Sequence, residues 1–282
     1  MKLRIILAVV AVLLVAGAAW YLLRPIPAEE LLTAVPPGEA PTLYLNVKAM
    51  RAAGVVDKIA GPDTLEDPEY KRFVAATGFD YRRDLDSVVL VSRQGDTLMV
   101  VAGAFDLDRL ATYAKANGGR CAGELCTVQG SSAQRQISWT PLRRRVLALA
   151  VSPDPMAATL LAGNATQVSF PVPGGPAWLH IPGSALRPGA GLPPGASALL
   201  SALEGAQYAQ LSATVSEVTL VAPCASALTA AALAARLTET TQTLRNLLAR
   251  EKTTPNALAT ALAAGEFRTE GKTLRGRWPL KW

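Results

Sequence analysis

Hydrophobic and polar positions divide this chain into three kinds of stretch. The first is an unbroken apolar run, Ile5–Leu23. The second kind alternates apolar and polar residues over four to eight positions, as half-buried strands do. The third places apolar residues three and four apart, the spacing of a helix with one buried face. Read in order, the last two kinds give a first strand at Thr42–Val47, a helix over 47–60 capped by Asn46, and a second helix opened by Asp67 and Pro68 and closed by Gly78. A hairpin follows, with arms Ser87–Arg93 and Thr97–Val101. Asp106 then caps a helix to about Ala116, with Phe105 stapled onto Leu110. Strands are expected near Glu124–Val128, Gln134–Thr140 and Val146–Val151, then a short helix at Pro155–Leu161.

After the Pro/Gly-rich stretch Gly163–Pro176 the order starts again. A strand Ala177–Ile181 leads through a loop, Pro182–Gly195, to a short helix, Ala196–Leu203. The strands Gln207–Val215 and Glu217–Pro223 come next, then a helix from Ser226 to Arg250 with Leu233, Leu237, Leu244 and Leu248 on one side. Thr254 and Pro255 open a last helix, and a hairpin turning at Glu270-Gly271 closes the chain. In it Leu274, Trp278 and Leu280 alternate with Arg275 and Arg277, the pattern of an edge strand with arginines outward. Both halves share strand, turn, strand, cap, helix. That predicts an α+β body of two tandem ferredoxin-like (β-α-β-β-α-β) units, the first with an extra hairpin. The units are 42–163 and 177–282, joined by 164–176.

The apolar run sets the expected address. Nineteen residues rise about 28 Å as a helix, close to the hydrocarbon thickness of a bilayer. Lys2 and Arg4 precede the run and Arg24 follows it, while Trp20 and Tyr21 stand at its far end as membrane-interface anchors. Residues 1–24 thus read as a cytoplasmic tip and signal-anchor transmembrane helix, single-pass, in a bacterial cytoplasmic membrane, with the remainder extracytoplasmic. Ala16-Gly17-Ala18 supports the competing reading of a cleaved signal peptide. Pro25–Pro41 reads as a proline-rich stalk that lifts the folded part off the membrane, its prolines excluding a long helix but leaving room for one or two turns at Ala28–Ala34.

Charge and cysteine content narrow the classes. Lys2, Arg4 and Arg24 carry three of the formal +6, which leaves +3 on the exported part. That is too little for a nucleic-acid binder with its basic stripe. Cys121 and Cys126 flank the turn residues Gly123-Glu124, so a disulfide across a hairpin is expected, as suits an oxidising compartment. Cys224 is left over as a buried thiol.

Tyr70–Asp86 reads YKRFVAATGFDYRRDLD and is followed by a hydrophobic hairpin and then GAFDLDRLATYAKANGG. This combination resembles a group of uncharacterised bacterial proteins, membrane-anchored at the N-terminus, over roughly residues 42–163. The resemblance implies an extracytoplasmic address and brings no catalytic residues with it.

Candidate chemistry is sparse. His180 is the single histidine, inside a strand, where a half-exposed structural role outweighs a triad. Asp84-x-Asp86 and Asp106-x-Asp108 are paired acids, read as helix caps and partners of Arg82 and Arg83 rather than a Ca²⁺ or acid–base pair. Gly189, Gly191 and Gly195 lie among prolines and lack the lysine of a phosphate loop. Arg143–Arg145 and the C-terminal tail are the basic spots, and Asn164 opens a glycosylation sequon. No catalytic residue, cofactor or metal site is expected. The favoured function is a non-catalytic, membrane-tethered interaction or structural module, touching membrane lipid through its N-terminal helix and an envelope protein through its body. The competing function is a small-ligand or lipid-binding module, using the groove between the two units and the loop Pro182–Gly195.

Overall fold

The computed structural model describes residues 26–59, 67–93, 95–130, 132, 135–161, 168–187, 199–250 and 257–280. Its elements, in chain order, are α1 (Ala28–Leu32), β1 (Thr42–Leu45), α2 (Val47–Ala52), α3 (Val56–Ile59), α4 (Pro68–Thr77), α5 (Tyr81–Asp84), β2 (Leu85–Arg93), β3 (Asp96–Gly103) and α6 (Leu107–Ala116). There follow β4 (Arg120–Ala122), β5 (Leu125–Gln129), β6 (Gln136–Arg143), β7 (Val146–Ser152) and a 3₁₀ turn at Ala157–Leu161. The second half holds β8 (Ala177–Pro182), β9 (Tyr208–Ala213), β10 (Glu217–Pro223), α7 (Ala227–Arg250), α8 (Ala257–Ala263), β11 (Glu266–Glu270) and β12 (Thr273–Pro279).

All the strands join one 12-stranded sheet in the order β11-β12-β10-β9-β8-β1-β2-β3-β7-β6-β5-β4. Every pairing is antiparallel. This overturns the expectation of two ferredoxin-like units. That plan runs its first two strands parallel, joined by a helical crossover, with the third strand between them, whereas here β1 and β2 are adjacent and antiparallel and β3 lies outside both. The halves meet edge to edge, β1 against β8, with Tyr44 opposite Trp178 and their rings stacked at 5.4 Å. From that seam each wing runs outward in a like manner: β1-β2-β3-β7-β6 on one side, β8-β9-β10-β12-β11 on the other. The hairpin β4–β5 extends the first wing.

Two further expectations change. No helix among the described residues is long and apolar enough to cross a membrane, so the expected signal-anchor helix has no support among them. The run Ile5–Leu23, with Trp20 and Tyr21, lies outside the described residues, as do Asn164 and the glycines at 189–195. The expected stalk is a packed part of the body from residue 26 on. Leu31 and Leu32 of α1 are 1% and 4% exposed and lie among Val89, Val100 and Ala148 of the sheet. Prolines bound this short helix at either end without keeping its leucines from the core. The terminal strand β12 is not an edge either, since β11 covers it.

Local signals account for most element ends. Asn46, Asp67, Asp80 and Asp106 each accept a backbone N–H from the first turn of the helix they cap. Gly78 ends α4 at φ +73°, a left-handed position that suits glycine. Gly54 interrupts the expected 47–60 helix in the same way at φ +68°, splitting it into α2 and α3.

Alternation along the strands separates two faces. On one face Val89, Val91, Leu98, Val100, Ala148 and Ala150 form a core closed by α1, the 3₁₀ turn and residues 168–172. The other face carries the long helices, α4 and α6 over the first wing and α7 over the second.

Candidate functional site

The helix face of the first wing is not filled. Val88 of β2, Met99 and Val101 of β3, and Leu147 and Leu149 of β7 form the floor of a cavity of about 980 Å³. They occupy the alternate positions to Val89, Val100 and Ala148, so the pleat that fills one face exposes these to the other. Ile137, Trp139 and Val128 extend the floor onto β6 and β5. Aromatic rings form the roof. Phe73 of α4 meets Tyr113 of α6 edge-on at 5.2 Å and Phe79 at 6.4 Å, and Phe79 stacks on Phe105 at 5.0 Å. The same rings line the cavity.

Capping explains why the roof stands where it does. Asp106 accepts the Arg109 N–H and starts α6 one residue after Phe105. The far end of α6 leans on the β4–β5 hairpin, where Leu110, Ala114, Cys126 and Trp139 are buried together. Gly119 lets the chain leave the helix there, because a Cβ would lie 2.2 Å from the Thr127 carbonyl oxygen. A disulfide joins Cys121 and Cys126, which face each other across that hairpin. One end of α6 is therefore pinned by a covalent staple, while toward β2 and β3 it stands off the sheet.

A sealed, dry void of this volume would cost on the order of 20 kcal/mol at about 24 cal/mol per Å³. That exceeds the roughly 5–15 kcal/mol that holds a typical domain together. The chamber must be open or occupied, and its rim shows where it opens. Glu69, Arg72, Asn117, Gln129 and Arg135 line it, and all five are exposed. The volume lies at the upper end of the roughly 300–1,000 Å³ usual for small-molecule sites, and the apolar wall with a few polar groups is their usual composition.

Other sequence candidates resolve into structural roles. His180 is 7% exposed, more buried than expected, and stacks on Phe170 at 3.9 Å with the planes 5° apart. Its Nδ1 is 3.4 Å from the Gln210 amide nitrogen, which also donates to the Pro171 carbonyl at 2.6 Å. Burial pushes its pKa down to about 4, against a weaker opposing pull from Glu39. Asp84 and Asp86 do not act together. Asp84 pairs with Arg83, whose hydrogen bond holds its carboxyl below the usual range, and Asp86 pairs with Arg145. Arg143 pairs with Glu30 of α1. A second, more polar depression of about 730 Å³ beside Arg143–Arg145 is thus framed by arginines largely engaged in holding elements together. Tyr70 donates to Asp80 at 2.7 Å, and burial first and that carboxylate second raise its pKa. Cys224 is buried in the second wing, which raises its thiol pKa. Among the described residues no cluster of His, Cys, Asp and Glu could hold a metal ion.

No family model and no curated protein matches the sequence. Among solved structures the chain is similar to crystal forms I and III of TP0453. The TM-score is 0.47 for each, with 12% and 11% identity, covering 90% and 88% of this chain and 94% and 92% of theirs. A likeness of that degree carries nothing about activity.

The cavity was not foreseen from the sequence, which pointed to a groove between the halves. The structure brings β1 and β8 into one continuous sheet at that place, and residues 188–195 of the expected loop lie outside the described residues. The available signal was the aromatic set Phe73, Phe79, Phe105 and Tyr113, too many rings for one short helix pair to bury. In sequence those residues look the same as ordinary core.

Proposed function

We propose that this protein is an extracytoplasmic, membrane-held binding module, without catalytic chemistry, whose first wing takes an apolar small ligand. The observation that carries the reading is the cavity of about 980 Å³ between the sheet and the aromatic roof of α4 and α6. Its floor and roof offer mainly hydrocarbon and ring surface. Each methylene that such a wall removes from water contributes about 0.8 kcal/mol. The disulfide supports a location outside the cytoplasm, since such bonds persist in oxidising compartments.

The partner-surface reading has weaker support. Large exposed apolar side chains stand on separate elements, such as Leu107 on α6, Met156 before the 3₁₀ turn, and Leu228 and Leu247 on α7. Single exposed apolar residues are ordinary on protein surfaces.

The test is a fluorescence titration of the purified full chain with N-phenylnaphthylamine, whose emission rises in apolar surroundings. One saturable site per chain is expected, weakened more than tenfold by Val101→Trp, which fills the floor. Absence of a saturable site, or unchanged binding in Val101→Trp with the fold intact, would overturn the proposal.

A further inference from the structure

The rim gives the cavity a sign, and with it a ligand class. This inference rests on the apolar-cavity reading above and deepens it. Among the described residues, three charged ones line the cavity: Glu69, Arg72 and Arg135. Two cations and one anion leave a net +1. Arg72 and Glu69 approach only to 3.9 Å, with side chains 75% and 86% exposed, so Arg72 remains open to another anion. Arg135 directly precedes β6 and forms no ion pair with a described carboxylate. Asn117 and Gln129 add exposed amide donors to the lining. We infer that the ligand is a single-chain amphiphile with a monoanionic carboxylate head, a long-chain fatty acid, its tail among Val101, Leu149 and Phe105 and its head between Arg72 and Arg135.

The net charge selects the head. A single carboxylate balances +1, whereas a phosphate monoester near its second ionisation would overshoot it. Arginine also matches a carboxylate with two parallel donors. The roof and floor are mainly hydrocarbon and ring surface, so affinity should grow with chain length, by up to about fourfold per methylene, until the chamber is full.

Trp139 lies in the floor and reports on it. The full chain in phosphatidylcholine nanodiscs is titrated with brominated alkyl chains of equal length bearing a carboxylate, a hydroxyl, a trimethylammonium or a phosphate head. Quenching specific to Trp139 is taken as the difference from Trp139→Phe, which removes any contribution from other tryptophans. The carboxylate is expected to bind about tenfold more tightly than the alcohol, since each exposed guanidinium contributes at most about fivefold. That preference should shrink in high salt. Arg72→Gln with Arg135→Gln should bring the ratio close to one and leave the alcohol's affinity unchanged. Equal binding of acid and alcohol, or a preference for the cation, overturns the inference and leaves the apolar cavity standing. Tighter binding of the alkyl phosphate overturns the carboxylate assignment. No Trp139 quenching by any of the chains overturns this inference and the apolar-ligand proposal together.

Discussion

The two wings present the same side of one sheet to their helices, yet only one of them is filled. Over the second wing, Ala230, Leu233 and Leu237 of α7 press onto Ala209, Leu220, Ala222 and Leu274, all essentially inaccessible. Small floor residues let the 24-residue helix approach closely along its first half. Gly276 does the same on β12, where a Cβ would lie 3.1 Å from Leu220 and Phe267. Over the first wing the floor is Val88, Met99, Val101 and Leu149, and the roof is two ten-residue helices carrying bulky rings. Large side chains on both sides hold the layers apart, and short helices span too little of the sheet to close the gap. One architecture thus yields a structural half and a receptive half, and residue size decides which is which.

The largest expected effect tests the filled half. Leu233→Ala removes a side chain that is 1% exposed in a close-packed seam and should cost about 2–5 kcal/mol in a urea titration. Met99→Ala, which faces the cavity, removes a partly buried side chain and should cost under about 1 kcal/mol. Equal losses would mean that the first wing is packed as tightly as the second.

The next test addresses the seam between the wings. His180 sits on β8, buried against Phe170, with its pKa pushed down to about 4 in the folded chain. Its unfolded value is near 6.5, so between the two the unfolded chain binds more protons. Stability is therefore complete above about pH 6.5 and falls as the pH drops toward 4. At about 1.4 kcal/mol per unit the loss is up to about 3 kcal/mol. His180→Gln should flatten that slope in denaturant titrations run at successive pH values. An unchanged slope would show that other groups carry the acid sensitivity.

How far the sequence displays these differences depends on the range of the interaction. Caps are local, so Asp67, Asp106 and Gly78 mark α4 and α6 correctly before any coordinates are known. The leucine seam of α7 is legible for the same reason, since its period is internal to the helix. Strand pairing is not local. β3 leaves Gly103 and finds its partner at Val146, beyond a helix and three other strands. Nothing in the alternation of Thr97–Val101 distinguishes that neighbour from the ferredoxin-like one, the first strand of the unit. The short turn of helix at Ala28–Leu32 is legible between its flanking prolines, but the burial of Leu31 and Leu32 against the sheet is not. The cavity is least legible of all. It is a shortfall of volume between residues that are each ordinary core formers, and only their spacing in three dimensions reveals it.

The staple of the first wing comes third in size. Cys121 and Cys126 close a short loop, and the loop-entropy argument gives about 2 kcal/mol for a bridge of that span. Cys121→Ser with Cys126→Ser should lower the unfolding free energy by about that amount. Because the hairpin supports Ala111 and Ala114 of α6, hydrogen exchange should quicken in α6 and leave α7 untouched. Faster exchange in both helices would mean that the wings are not separable in stability.

The smallest effect is the most discriminating, because it asks for near-neutrality where packing would forbid it. Adding bulk to a close-packed site usually costs about 1–3 kcal/mol, since neighbours must leave their rotamers. Ala222→Val, at a fully buried position under α7, should show that cost. Val101→Trp adds far more volume at the cavity floor, yet the chamber of about 980 Å³ can take an indole without displacing backbone. Its unfolding free energy should stay within about 1 kcal/mol of the parent, because lost strand regularity is offset by apolar surface newly buried against Phe79 and Phe105. A loss for Val101→Trp as large as that for Ala222→Val would mean that the roof sits lower in solution. The first wing would then be a second packed half, with no room for a ligand.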